Sequence, residues 1–315
     1  IGADAKALEN SELQVVSLAI QALSDLSCPA DLLQKVDLGV IGILCSNVSN
    51  THVAKALSFI LYQASLMQSI EHEKGNNAPI VFGDASNKDD SQTMISTLKG
   101  KLINGLNTTC EINRKLYLKS LAYLSSDEKK SSIFFQTMLK AENITPNVAS
   151  YRDRVKHLSN IVWSEQNEDE NNEDDDMALM RFKGGLRFLL GSLSVNFTPL
   201  WDPTIKIIDS YLSAQKYQDI SWTIIYEVFY ETSEKIKNGN EGISGEIKQV
   251  QNLLSLVLKA FAYSSDFIPF VEKKSQIKST NSLKRNCFVK HCYLVEGSQS
   301  ILPCFISRIN FCQRT

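Results

Sequence analysis

The sequence predicts an all-α chain, arranged as a HEAT/armadillo-like α-solenoid of antiparallel helix pairs in preference to a large bundle, the other architecture that fits. Three observations carry that expectation. Apolar residues recur at i, i+3, i+4 and i+7 from one end to the other. No run of alternating apolar and polar residues with hairpin turns interrupts them. Only 7 Pro and 14 Gly occur in 315 residues, too few for a loop-rich β protein. Helix pairs recur about every 35–45 residues, within the range of HEAT repeats.

The elements follow in order. Leu13, Val16, Ile20 and Leu23 share one face after Ser11, a candidate N-cap. A second helix is expected from Pro29 to Cys45 on Leu32, Leu33, Val36, Val40 and Leu44. A third, from Thr51 to His72, lines up Val53, Leu57, Ile60, Ala64 and Met67. Residues 73–90, rich in Gly, Asn and Asp, read as a loop. Helices are expected again at Ser91–Leu106, Glu111–Leu124, Asp127–Ala141 and, without a break, Pro146–Trp163. After an acidic stretch come Leu186 to Phe197, then helices on Ile205, Ile208 and Leu212, on Trp222, Ile225, Tyr226 and Phe229, and on Ile247, Val250, Leu254, Val257 and Phe261.

Composition shifts divide the chain. Residues 1–164 and 177–270 read as two parts of one helical array. Residues 165–176, "EQNEDENNEDDD", carry eight acidic and no basic groups and read as a disordered linker. The net charge is −2, so the remainder of the chain is near +6, a mildly basic body. Residues 271–315 have poor helical periodicity and hold Cys287, Cys292, Cys304 and Cys312, and read as an atypical tail: a β-hairpin, a separate small module, or sequence that does not belong to the parent fold.

No apolar run is long enough for a transmembrane helix, and residues 1–12 lack the basic and apolar regions of a secretory leader. The chain starts with Ile, so a fragment or processed product is expected. Seven scattered cysteines, an odd number, point to reduced thiols in a cytosolic or nuclear protein. The sequons at Asn47, Asn107, Asn143 and Asn196 are what a chain rich in Asn and Ser contains by chance.

No pattern points to catalysis. His52, His72, His157 and His291 are far apart. A zinc helix starting at His72 would need a second His at position 76, which is Asn. The four tail cysteines, even with His291 beside them, lack the short paired spacing of structural zinc sites. Gly184 and Gly185, in "FKGGLRF", belong to neither phosphate-binding fingerprint and suit close helix packing or a local kink instead. Catalytic, cofactor-binding and metal residues are therefore expected to be none, and no small-molecule substrate is implied. Basic residues cluster as Arg152, Arg154 and Lys156, as Arg181, Lys183 and Arg187, and as Lys273, Lys274 and Lys278. Each group is either a solvated helix surface or a phosphate-tracking patch.

Local physics predicts the form of "NFTPLWDP". Thr198-Pro199 ends one helix, since a residue before proline avoids the helical region. Asp202 is the expected N-cap of the next helix, with Pro203 at N1 and Trp201 stapled against its first turn. Asn196, Phe197, Leu200, Trp201, Asp202 and Pro203 also resemble a corner of the small-subunit processome component 20 (down-regulated in metastasis) family. The specific match covers residues 186–212, with a looser likeness at 13–26.

The resemblance implies a segment of a long HEAT-type scaffold of the nucleus and nucleolus. Its implied partners are processome proteins and a pre-rRNA/snoRNA particle, its role is pre-rRNA processing toward 18S rRNA, and no catalytic residues carry over. Residues 271–315 depart from the family's helical array. Two other expectations stand beside it, a HEAT-like adaptor or nuclear transport carrier, and a helical enzyme with an unrecognised site.

Overall fold

The computed structural model describes residues 10–26, 36–74, 82, 88–125, 128–163, 175–237, 247–249 and 252–253. Among them are ten α-helices with defined bounds, further helical residues at 247–249 and 252–253, two short 3-10 turns, and no strand. The helices are α1 (Asn10–Leu26), α2 (Leu38–Ser46), α3 (Thr51–Glu73), α4 (Lys88–Gly105), α5 (Glu111–Leu124), α6 (Lys129–Asn143), α7 (Tyr151–Ser159), α8 (Asp175–Ser192), α9 (Trp201–Leu212) and α10 (Gln218–Lys237). The all-α expectation holds across these residues. The tail 271–315, residues 165–174 of the acidic run, and most of the helix expected from Ile247 to Phe261 lie outside them.

Several boundaries differ from the expected ones, each for a local reason. Of the helix expected from Pro29 to Cys45, residues 29–35 lie outside the described residues, and the described part starts a helix at Leu38. Asp37 is extended there, and its carboxylate accepts a hydrogen bond from Val40 N at 2.8 Å, which makes it an N-cap. Ser11 lies within the first turn of α1 instead of capping it. The span from Pro146 to Trp163 is not one helix. The Asn147 side chain accepts from Ser150 N at 3.0 Å, and this local turn postpones helix formation to Tyr151. Asp175 and Asp176, taken with the acidic linker, form the first turn of α8, where carboxylates favour the unpaired N–H groups.

The chain divides into two units, Ile1–Tyr226 and Glu227–Thr315, with the division inside α10. In the second unit, Val228 and Phe229 are buried and the Thr232 hydroxyl meets the Gln249 side chain at 3.0 Å. In the first unit the packing follows two rows. One runs α1 to α3 to α5 to α6, and the other α2 to α4 to α8 to α9. The rows are joined where α2 packs on α3, α4 on α5 and α6 on α8, while α7 packs on α6 and α9.

The core lies between the rows. Val53, Leu57, Ile60 and Ala64 of the predicted α3 stripe are buried, and they lie on the same side as Leu61. Leu98 and Leu102 of α4, Leu106 just after it, and Leu118 and Leu121 of α5 are fully buried. Completely burying each Leu or Ile is worth about 1.5–3 kcal/mol against exposure, so periodic apolar stripes alone drive most of the assembly. α3 and α5 run side by side in the same direction. Asn113, at the start of α5, donates to the Ser49 carbonyl just before α3 at 2.9 Å, while Tyr62 in mid-α3 meets Tyr123 at the end of α5.

α8 is enclosed on every side. From Arg181 to Val195 every residue but Lys183 is buried. Such crowding needs small residues. A Cβ on Gly185 would overlap the Tyr211 hydroxyl and stand 2.9 Å from Phe134 Cζ, and one on Gly191 would stand 2.5 Å from the Leu106 carbonyl oxygen. The close packing expected of the glycine pair is therefore present at Gly185. Around it Trp163, Phe182, Tyr211 and Tyr217 form one aromatic cluster, with Phe182 4.6 Å from Tyr217 and 5.1 Å from Trp163 between ring centroids. The Tyr211 hydroxyl donates to the Ile161 carbonyl at 2.9 Å, and its complete burial pushes its pKa upward.

The corner at residues 193–203 corrects the expected capping. α8 ends at Ser192, not Phe197, and the chain passes through turns before a 3-10 turn at Thr198–Leu200. That turn runs straight into α9, whose first residue is Trp201 and whose N-cap is Leu200, with no side-chain cap. Asp202 is thus not the cap. It sits exposed in the first turn of α9, and Pro203 follows it inside that turn rather than at N1. The prolyl residue that opens a helical stretch is Pro199, in the 3-10 turn. Trp201 is half-buried, and its indole Nε1 donates to the Val195 carbonyl at 2.9 Å. The corner is closed by that hydrogen bond, together with one from the Thr204 hydroxyl to the Leu200 carbonyl at 2.7 Å.

Candidate functional site

The sequence clusters were built from neighbours in the chain, and helical geometry separates them. Residues two apart on a helix lie about 200° apart around its axis. On α7, Arg152 and Lys156 are accordingly exposed while Arg154 turns inward. On α8, Arg181 and Arg187 are buried and only Lys183 is half-exposed. Neither triplet is a surface patch. The third, Lys273, Lys274 and Lys278, lies outside the described residues, as do Cys287, Cys292, Cys304, Cys312 and His291.

Arg154 instead belongs to a buried constellation. Glu142, near the end of α6, accepts from Arg114 Nε at 3.1 Å and Nη2 at 2.7 Å through one carboxylate oxygen. Its other oxygen accepts from Arg154 Nη2 at 3.3 Å. The three side chains are 0–1% exposed. Arg114 Nη1 donates further to the carbonyls of Thr108 and, at 3.2 Å, Gly191, and Arg154 Nη1 donates to the Ile144 carbonyl. Two guanidiniums and one carboxylate leave a net positive charge, so the carbonyl dipoles are part of what solvates it. Burial pushes the Arg154 pKa down and Arg114 adds to that, while Glu142 and Glu111 oppose it. Arg154 Nε has no hydrogen-bond partner.

The triad ties α5, α6, α7 and the end of α8 together, and its chemistry is structural. A guanidinium does not release its proton near neutral pH, and both carboxylate oxygens already accept hydrogen bonds from the arginines.

The histidines are dispersed. His52 and His72 are exposed at opposite ends of α3, and His157 is half-buried on α7. Among the described residues no group of three His, Cys, Asp or Glu could hold a metal ion. Cys45 is buried and Cys110 half-buried, both free, and burial pushes the Cys45 thiol up against the lowering effect of Lys101. None of the described helices is long and apolar enough to cross a membrane.

What the tertiary structure does bring together is a lysine-bearing outer face that no local cluster announces. α3 has no Asp or Glu from Thr51 to Ile70, α5 has only Glu111, and α6 has only Glu142, which is buried. Lys55 on α3, Lys119 on α5, and Lys129 and Lys140 on α6 are exposed, with Lys115 half-buried. Because α4 packs beneath α5, α8 beneath α6, and α4 against α8, the exposed sides of α5 and α6 point the same way. α3 continues the row.

Tyr62 and Tyr123 join the face where α3 meets α5, their ring centroids 5.5 Å apart at 52°. Tyr62 is 41% exposed. Burial raises the Tyr123 pKa, with Tyr62 contributing. The signal that could have found this face is the lack of acidic residues in three separate helices, seen only when they are read together.

No family model matches the chain, and no solved structure matches it.

Proposed function

We propose that this chain is a scaffold segment of the small-subunit processome, holding proteins and pre-rRNA in place during processing toward 18S rRNA in the nucleolus. In this reading the helices are successive HEAT-type pairs of an α-solenoid, and the chain acts by extended surface contact with no bond-making step. The observation that carries the reading is the corner at Asn196, Phe197, Leu200, Trp201, Asp202 and Pro203, with the resemblance it bears to the processome component 20 family. It is supported by the all-α character of the described residues and by the first part of the two rows, where α1 packs on α3, α3 on α5 and α2 on α4. That is the arrangement expected when pairs stack along an axis. The outer lysine face supplies a surface suited to the phosphate backbone.

The test is localisation and sedimentation of the tagged protein in cells. Nucleolar enrichment and co-sedimentation with large preribosomal particles are expected, both lost when the associated snoRNA is depleted, and depletion of the protein should accumulate 18S precursors. Diffuse distribution with unchanged precursors would overturn the proposal.

A further inference from the structure

We infer that the outer face of α3, α5 and α6 is a docking surface for single-stranded RNA, with lysines along the backbone and the Tyr62–Tyr123 pair as a platform for an unpaired base. The inference rests on the scaffold reading and deepens it by naming the surface that meets RNA. Helical phase puts the parts together. Lys115, Lys119 and Tyr123 are spaced i, i+4, i+8 on α5, and Lys55 and Tyr62 are i, i+7 on α3. At 1.5 Å per residue, Lys119 lies about 6 Å along the axis from Tyr123, and Lys55 about 10 Å from Tyr62. Lys115 and Lys119 are likewise about 6 Å apart along the axis, close to the separation of successive phosphates in an extended strand.

Lys129 and Lys140 carry the positive face onto α6. Acidic groups border it without entering it. Glu71 and Glu73 end α3, Glu111 opens α5, and Glu128 is held by Lys99 at 3.3 Å. Charge complementarity alone would serve an acidic protein equally well. The aromatic pair favours RNA, since a base offers a π-face to an exposed tyrosine and a carboxylate does not.

The experiment measures fluorescence anisotropy of a labelled single-stranded RNA of about twenty nucleotides with the full chain, across a salt series. Binding is expected with a log–log salt slope of about −3.5 for five lysine contacts, falling by about 0.7 for each lysine replaced. The combined variant Lys55→Gln, Lys115→Gln, Lys119→Gln, Lys129→Gln and Lys140→Gln should bind at least about tenfold more weakly, with an unchanged circular dichroism spectrum. Tyr62→Ala and Tyr123→Ala should each weaken binding by about tenfold.

Affinity unaffected by the combined variant overturns the inference. So does displacement by polyglutamate as effective, charge for charge, as by RNA with the tyrosine variants neutral, which assigns the face to an acidic protein. The scaffold reading fails separately. A chain that binds RNA through this face yet sediments apart from preribosomes leaves the surface standing and removes the processome. A nucleolar chain whose RNA binding ignores these lysines does the reverse.

Discussion

Replacing Glu142 by Ala removes the carboxylate that bridges two buried guanidiniums. Three hydrogen bonds disappear, at 2.7, 3.1 and 3.3 Å. Arg114 and Arg154 then face each other without the carboxylate between them, with side chains 0% and 1% exposed. Breaking a buried ion pair by deleting one partner costs about 3–5 kcal/mol, because the remaining charge stays desolvated. For a cooperative unit of this size each kcal/mol moves the melting temperature by about 2–4 °C, so a fall of about 6–20 °C is expected.

The two arginines should differ. Arg114 makes four hydrogen bonds, to Glu142 twice and to the Thr108 and Gly191 carbonyls. Arg154 makes two and leaves Nε without a partner. Arg154→Met should therefore cost less than Arg114→Met. The triple replacement Arg114→Met, Glu142→Met, Arg154→Met should be much milder than Glu142→Ala, since an apolar set strands no charge. Urea and thermal unfolding followed by circular dichroism measure all four. A Glu142→Ala loss below about 1 kcal/mol, or a triple variant worse than the single one, would refute the reasoning.

Four further outcomes are expected. Gly191→Ala should destabilise by about 1–3 kcal/mol in urea unfolding, because the Leu106 carbonyl in its way is backbone, although alanine is the better helix former by about 1 kcal/mol. Burial raises the Tyr117 pKa to about 12, with Cys110 adding, and its hydroxyl donates to the Val48 carbonyl at 2.9 Å. The folded pKa lies above the unfolded one. Its contribution is therefore intact below pH 10 and lost as pH rises toward about 12, roughly 3 kcal/mol in all, and Tyr117→Phe should flatten that part of a stability–pH curve. Asp37→Ala should cost about 1 kcal/mol as loss of a true cap, whereas Asp202→Ala should cost only about 0.3–1 kcal/mol, and less in high salt, which paired unfolding curves compare. Trp201→Phe should cost about 1 kcal/mol by removing the indole bond to Val195 while keeping the ring.

What was legible in the sequence was whatever depended on periodicity alone. α5 begins and ends where its apolar spacing places it, and α3 differs by one residue, because a long amphipathic stripe overrides weak local preferences. The breaks were harder. Asp37 within "QKVDLG" could continue a helix or cap one, and only the geometry of its carboxylate against Val40 decides. At Trp201-Asp202-Pro203 the favourable capping residue lost to the preceding 3-10 turn, which already delivers the chain in helical conformation.

The polar interior was hidden for a different reason. "YRDRVKH" reads as a solvated face, and nothing local says that Arg154 finds Glu142 twelve residues earlier. Arg181 and Arg187 were obscured by the same effect, since α8 is packed on all sides and its arginines are carried inward with its leucines. The lysine face was invisible to a search for dense clusters, because it is spread over three helices of the row.

The position of α8 has a consequence for how the chain can be divided. Its neighbours α4, α6 and α9 come from both sides of residues 164–174, and Arg114 reaches across 77 positions of sequence to the Gly191 carbonyl. The covalent link through 164–174 is thus not what joins the two parts. Residues 1–163 and 175–315, produced as separate polypeptides, should reassociate into one complex, with Arg114 against the Gly191 carbonyl as the lock. Fragment complementation would then turn the crowding around α8 into an affinity that can be titrated.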